Sequence, residues 1–250
     1  MEIGAQLYTV RDLMQTPEDQ QKTLTRIADM GYRTIQVSGF PYDPARLKDL
    51  CDALGLRIVV THTPAERILH DTAAVIADHQ RMDCPYVGVG SLPGERTVAG
   101  ARAFLREFRP AMEAFAAAGL KFQYHNHSFE FQRFPEGDLW SILVQESDPA
   151  LLGFILDTYW VHHGGKHVPT VIRSLRGRID LCHVKDLAID GGAQRFAAVG
   201  SGNFDWPPVL AAFGEIGTKY AFVEQDDCYG ADPLEELAAS YRFLTRGSAA

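Results

Sequence analysis

Asp157, His183 and Glu224 each stand at or near the end of a short apolar run, in GFILD, RIDLCHVKD and YAFVE. Two carboxylates and an imidazole form a mixed oxygen and nitrogen donor set, which suits Mn, Mg, Co or Zn better than a soft, thiophilic ion. Buried carboxylates without partners are costly, so their recurrence after successive apolar runs points to one shared divalent cation. Groups able to move protons lie close by. Lys185, two residues beyond His183, shares its side of an extended chain and could bind an oxyanion or donate a proton. His127 and Glu130 follow the run KFQYH, and His62 closes RIVVTH, where it could also contact a substrate. Histidine titrates near neutrality, which makes it a natural proton carrier.

Such residues need a scaffold that gathers run ends onto one rim. Strand-like runs occur at Glu2–Tyr8, Arg33–Val37, Arg57–His62, Tyr86–Gly90, Lys121–His125, Gly153–Asp157, Asp180–Lys185 and Tyr220–Gln225. Helical patterns fall between them, near 17–30, 44–54, 66–82, 100–118, 138–146, 168–176, 206–216 and 232–245. Thr16-Pro17-Glu18 supplies a capping residue before a first-turn proline, and Gly31, Gly55 and Gly119 sit where helix ends call for left-handed residues. Strict alternation predicts an α/β fold with a parallel sheet. With 250 residues and no composition break, it closes most economically into a single (β/α)8 TIM barrel over 1–250, with 246–250 as a frayed tail. A doubly wound open sheet is the competing arrangement, but no GxGxxG follows the first run. In the barrel, chemistry belongs at the C-terminal strand ends, which here offer Tyr8, Gln36, His62, FQYHNHSFEF, Asp157, HVKD and Glu224-Gln225.

Composition narrows the partners. A net charge of −8 argues against nucleic acid or an anionic membrane surface and accords with cation binding. No segment approaches the ~20 apolar residues of a membrane span, and no leader pattern opens the chain, so a cytoplasmic protein is expected. The four cysteines have no zinc-like spacing and are expected to be buried, reduced thiols. The stretch His162-His163-Gly164-Gly165-Lys166-His167 fits no ligand pattern and is expected to be a solvated loop. VGSGNFDW has glycines but no P-loop lysine, so it gives little support for a phosphate site.

The segments FQYHNHSFEF, FILDTYWV, DLCHVKDL, VGSGNFDW and FVEQDD resemble the sugar phosphate isomerase/epimerase superfamily, with its xylose-isomerase-like barrel. They are most similar to a subgroup with a Tyr-His-Asn-His signature on the fifth strand. In the sugar epimerases of that superfamily a metal is held by Glu, Asp, His and Glu from strands five to eight. The resemblance carries the Asp to Asp157, the His to His183 and the last Glu to Glu224. Gln123 stands in the place of the first Glu, and a neutral amide is a poorer ligand and no base. His125, two residues further along the same face, is then the expected fourth ligand, with Gln123 or water as the alternative, and Gln123 is otherwise expected as a substrate contact. Trp160 stands where the epimerases have a histidine and could stack on a sugar ring.

The resemblance implies proton abstraction beside a metal-bound carbonyl of a ketose, keto-sugar or keto-inositol, with Glu224, Lys185, His127 and Glu130 as acid–base groups. Epimerisation or isomerisation is the leading expectation. A dehydratase or keto-glycoside β-elimination lyase is the alternative, favoured by the missing carboxylate, and a non-catalytic sugar-binding barrel is a further one. Apurinic-site endonucleases share the barrel but need more ligands and a basic surface. The expected partner is a small sugar or polyol, with homo-oligomerisation possible.

Overall fold

The computed structural model describes residues 1–246, so the expected tail lies, from residue 247 onward, outside the described residues. Among the described residues there are twelve strands: β1 (Glu2–Gln6), β2 (Thr34–Val37), β3 (Arg57–His62), β4 (Tyr86–Val89), β5 (Lys121–His125), β6 (Arg133–Phe134), β7 (Gly137–Asp138), β8 (Leu152–Asp157), β9 (Leu181–Val184), β10 (Asp186–Asp190), β11 (Ala193–Ala197) and β12 (Tyr220–Val223). Eight of them close a barrel in the order β1-β2-β3-β4-β5-β8-β9-β12. Every barrel pairing is parallel, including β1 with β12, where Glu2 faces Tyr220. The fold is a single (β/α)8 TIM barrel.

Among the described residues ten α-helices surround it: α1 (Pro17–Asp29), α2 (Pro44–Ala53), α3 (Ala65–His70), α4 (Thr72–Arg81), α5 (Val98–Ala117), α6 (Leu139–Glu146), α7 (Thr158–His163), α8 (Val168–Ser174), α9 (Trp206–Ile216) and α10 (Pro233–Thr245). Local chemistry explains their ends. Thr16 Oγ1 accepts the Asp19 N–H in front of Pro17, and Gly31, Gly55 and Gly119 all take positive φ.

Period-2 alternation divides each strand between two apolar bodies. In β8, Phe154 and Leu156 join the large core between barrel and helices. Ile155 points inward to a small plug with Val60, Tyr86, Leu181 and Phe222. Asp157, two residues past Ile155, therefore emerges on the inner face just above that plug, and the pairing of Asp157 with His183 brings the neighbouring strand to the same level.

Several elements depart from the sequence pattern. The first strand stops at Gln6, because the Gln6 side chain accepts the Tyr8 N–H and opens a 3-10 turn over Leu7–Leu13. The pattern over 66–82 breaks into α3 and α4 at Asp71, which leaves the helical region with φ −128°. His162 and His163 lie on α7 rather than in a loop. The antiparallel hairpin β10–β11 follows Lys185 directly. Cys51, Cys84 and Cys182 are buried and Cys228 half-buried, all as free thiols.

The glycines of VGSGNFDW have a structural purpose. The buried Asp186 carboxylate accepts N–H bonds from Leu187 (2.7 Å), Gly200 (2.8 Å), Phe204 (3.2 Å) and Gly202 (3.3 Å), and from Trp206 Nε1 (2.8 Å). A Cβ at Gly202 would lie 2.2 Å from the Leu187 carbonyl oxygen and 2.4 Å from Asp186 Oδ1, so only glycine allows this approach. The loop is an anion cradle whose anion is internal. Asp186→Asn keeps the shape but removes the charge, and is expected to lower stability by about 2–4 kcal/mol in chemical denaturation. A loss within ~0.5 kcal/mol, that of an ordinary surface substitution, would show that the cradle does not depend on charge.

Candidate metal centre

His125, Asp157, His183 and Glu224 come from four adjacent barrel strands or the residue after one, and all are buried. One donor atom of each lies within 4.8 Å of those of the other three. What distinguishes this cluster is how its remaining polar atoms are used. Glu224 Oε1 accepts from Gln6 Nε2 at 2.9 Å, and Asp157 Oδ1 accepts from the Trp160 N–H at 3.0 Å. His183 Nε2 donates to Gln36 Oε1 at 2.7 Å, and His125 Nδ1 donates to the Gly90 carbonyl at 3.0 Å. Each group is thus held from behind, which turns Glu224 Oε2, Asp157 Oδ2, His183 Nδ1 and His125 Nε2 toward one another. His183 Nδ1 and Glu224 Oε2 approach to 2.9 Å yet form no directed hydrogen bond, and both are buried. Neither atom has a directed hydrogen bond, although Lys185 Nζ lies 2.6 Å from Glu224 Oε2; a bound cation would satisfy both, and the N/O donor set fits a divalent ion.

Lys185 Nζ lies 2.6 Å from Glu224 Oε2, 3.0 Å from Asp157 Oδ2 and 3.0 Å from Asp226 Oδ1. Burial opposes charge on all of these groups, but mutual attraction wins for three of them. The Asp157 and Glu224 carboxyls are held below, and the Lys185 ammonium above, their ordinary ranges. Burial likewise disfavours a charged His183, yet Glu224 and Asp157 outweigh it and raise the ring to about 8. Asp226 is pushed up, first by burial and then by Glu224.

The cluster opens into a cleft of about 560 Å3, lined among others by His62, His125, His127, Lys185, Glu224 and Asp226. Burial and the neighbouring His125 and His183 hold His62 uncharged, and its Nε2 has no partner. His127 Nδ1 is also unpartnered, and burial together with His125 and Lys185 lowers that ring to about 3. Two neutral imidazoles thus border the cleft.

A model of the xylose isomerase-like TIM barrel matches residues 24–246. The chain belongs to that family. A sequence comparison with curated proteins finds no match. Among solved structures the chain is similar to a sugar phosphate isomerase/epimerase from Parabacteroides distasonis, with 25% identity and a TM-score of 0.82 over 97% of this chain and 93% of the other. It shares its fold with L-ribulose 3-epimerase, at 18% identity and a TM-score of 0.73 over 99% and 94% of the two chains. It also shares its fold with a zinc-bound IolI protein, at 13% identity and a TM-score of 0.74 over 98% and 97%.

Three residues expected at the family's active-site rim lie elsewhere. Gln123 faces the barrel interior one step below His125 and lines a cavity at the opposite end, with Lys121, Leu151 and Arg178. It does not line this cleft. Trp160 packs among the rings of His127, Tyr159, His163 and Phe196 and does not line the cleft. Glu130 is fully buried and turned away. Its oxygens accept from the Tyr124 hydroxyl at 2.6 Å and the His127 N–H at 2.9 Å, which makes it a brace for the segment carrying His127.

Burial raises the Glu130 carboxyl to about 7 from its ordinary 4.5, despite the Tyr124 hydrogen bond. The folded chain therefore holds this proton more tightly than the unfolded one. Stability is full below the unfolded value and falls as pH rises from there through the folded value. The non-ionising Glu130→Gln is expected to gain about 3 kcal/mol on the parent between roughly pH 4 and pH 8, measured by urea melts along the series. A constant difference across that range would contradict the assignment.

Residues to which the sequence assigned no role complete the centre. Gln6 shares the inner face of β1 with Gly4, and Asp226 lies two residues past Glu224, so inward parity was the available signal. Asn126 Oδ1 accepts the Asp157 N–H at 3.0 Å, a contact that local sequence does not announce.

Proposed function

We propose that the chain is a divalent-metal-dependent isomerase or epimerase acting on a keto-sugar or keto-inositol that carries no phosphate. The observation that carries this reading is the convergence of four back-braced donor atoms at the floor of a cleft bordered by neutral histidines. Asp157, His183, Glu224 and His125 would hold the ion, and bound there it would polarise a substrate carbonyl. Glu224, at the edge of the cleft, is the carboxylate candidate for taking a proton from the carbon beside that carbonyl. His127 and His62 both line the cleft, His127 placed to exchange a proton with the substrate and His62 to hold a substrate hydroxyl. The Lys185 ammonium is suited to favour the oxygen on which charge grows. Similar structures that include a sugar phosphate isomerase/epimerase and an L-ribulose 3-epimerase support the reaction class, and the zinc of the IolI protein supports the ion. Against a phosphorylated substrate, the N–H groups of the glycine loop are already occupied by Asp186.

A second reading, β-elimination by a dehydratase or keto-glycoside lyase, is favoured by the strand-five donor, the imidazole of His125 where a two-carboxylate epimerase would need a carboxylate. Both readings share their first step. The protein loaded with Mn2+ and given a panel of keto-sugars in deuterated water is expected to exchange an α-hydrogen, or to lose it with a leaving group, as read by mass spectrometry. Turnover through hydride transfer, with no solvent exchange, would exclude both.

A further inference from the structure

This inference rests on the metal reading above and concerns the cation that the centre already contains. Asp157 Oδ2 and Glu224 Oε2 are two of the four convergent donors, and both are hydrogen-bonding distances from Lys185 Nζ, at 3.0 and 2.6 Å. A divalent ion binds such oxygens at about 2.0–2.3 Å, so it competes with the ammonium for the same atoms and repels it. Lys185 has somewhere else to go. Asp226 Oδ1, 3.0 Å from Nζ, belongs to a carboxylate outside the donor set. The ring centroids of Trp160 and Phe196 each lie 5.5 Å from Nζ and offer faces to a cation. One ammonium therefore has two sets of partners, a pair that the ion needs and a set that it does not.

We propose that Lys185 is the resident counter-cation of the ion-free centre, displaced by the divalent ion onto Asp226 and the Trp160–Phe196 faces. In the ion-free chain it offsets, together with the His183 ring, the desolvation of the buried Asp157 and Glu224 carboxylates. The same contacts weaken ion uptake, because the ion must evict the ammonium. Asp226 is a positioning residue that receives Lys185 and keeps it beside the cleft. The flexible four-carbon stem of lysine permits a short swing at constant backbone geometry, where the rigid fork of arginine would not.

The test titrates Mn2+ into the chelated full-length chain by calorimetry, for the parent, Lys185→Met and Asp226→Asn. Lys185→Met is expected to bind Mn2+ about tenfold more tightly or better, and to melt lower than the parent when chelated. Asp226→Asn is expected to bind about tenfold more weakly, since the evicted ammonium loses its acceptor. Crystal structures of the chelated and Mn2+-loaded parent, which involve no substitution, should show Nζ leaving Asp157 and Glu224 while keeping Asp226. Should Lys185→Met fail to fold, Asp226→Asn and this pair of structures decide. Nζ still in ion-pair contact with both Asp157 and Glu224 in the loaded protein, or unchanged affinity in the variants, would overturn the displacement and leave the metal reading standing. A parent that binds no Mn2+ would overturn both.

Discussion

Combining Asp157→Ala with Glu224→Gln is expected to leave the purified protein free of divalent ion by elemental analysis, whereas the parent is expected to carry one ion per chain. The two substitutions remove both carboxylates of the donor set, and with them its formal charge. Affinity should fall on the order of a thousandfold or more, because losing even a residue that only braces a ligand costs about 10–100-fold. The braces supply graded controls. Gln6→Leu leaves Glu224 in place but frees its Oε1, and Gln36→Leu does the same for His183 Nε2. Each should weaken binding within that 10–100-fold range. His125→Ala, which deletes a donor, should cost more than either. Stoichiometric ion surviving in the double variant would mean that the centre lies elsewhere.

The second large effect is expected at His127. Its ring borders the cleft, is not among the four convergent donors and has an unpartnered Nδ1. His127→Ala should therefore retain the ion yet slow α-hydrogen exchange by about 10²–10⁴-fold, the range for loss of a positioned acid–base group. The loss should appear in kcat and in kcat/KM alike if the ring acts in the transition state, and chiefly in KM if it only anchors substrate. Exchange at the parental rate would remove His127 from the proton path. Glu130→Gln should act through the same histidine but more weakly, since it keeps the brace on the His127 N–H.

The barrel was legible because parallel strands buried on both faces leave continuous apolar runs, and because proline and glycine mark helix ends. The donors were legible for a related reason. A polar residue closing such a run is an exception, and the exceptions at Asp157, His183 and Glu224 meet at one level. What stayed hidden depends on distance and direction. Glu130 and His127 are three residues apart, yet one braces from the core while the other faces the cleft, because Glu130 follows the chain into a short 3-10 turn. Gln123 was expected at the rim, but parity alone does not say how deep an inward residue sits. The hairpin β10–β11 mixes exposed polar and apolar residues on a two-stranded ribbon, so it leaves no buried periodicity to find. The break at Asp71 is a change in backbone direction inside an otherwise helical composition.

The hydrogen bond from Gln6 to Glu224 joins residues 218 positions apart, across the place where β1 meets β12. That junction is the seam of the barrel, and it can be sewn only after nearly all the intervening strands exist. A chain emerging from the ribosome would carry His125, then Asp157, then His183, and still lack an oriented fourth donor until the ring shuts. An ion selective for the complete set therefore binds closed barrels in preference to open ones, and draws the closing equilibrium toward itself. The centre is then a clasp on the last stitch of the fold as well as a place for chemistry.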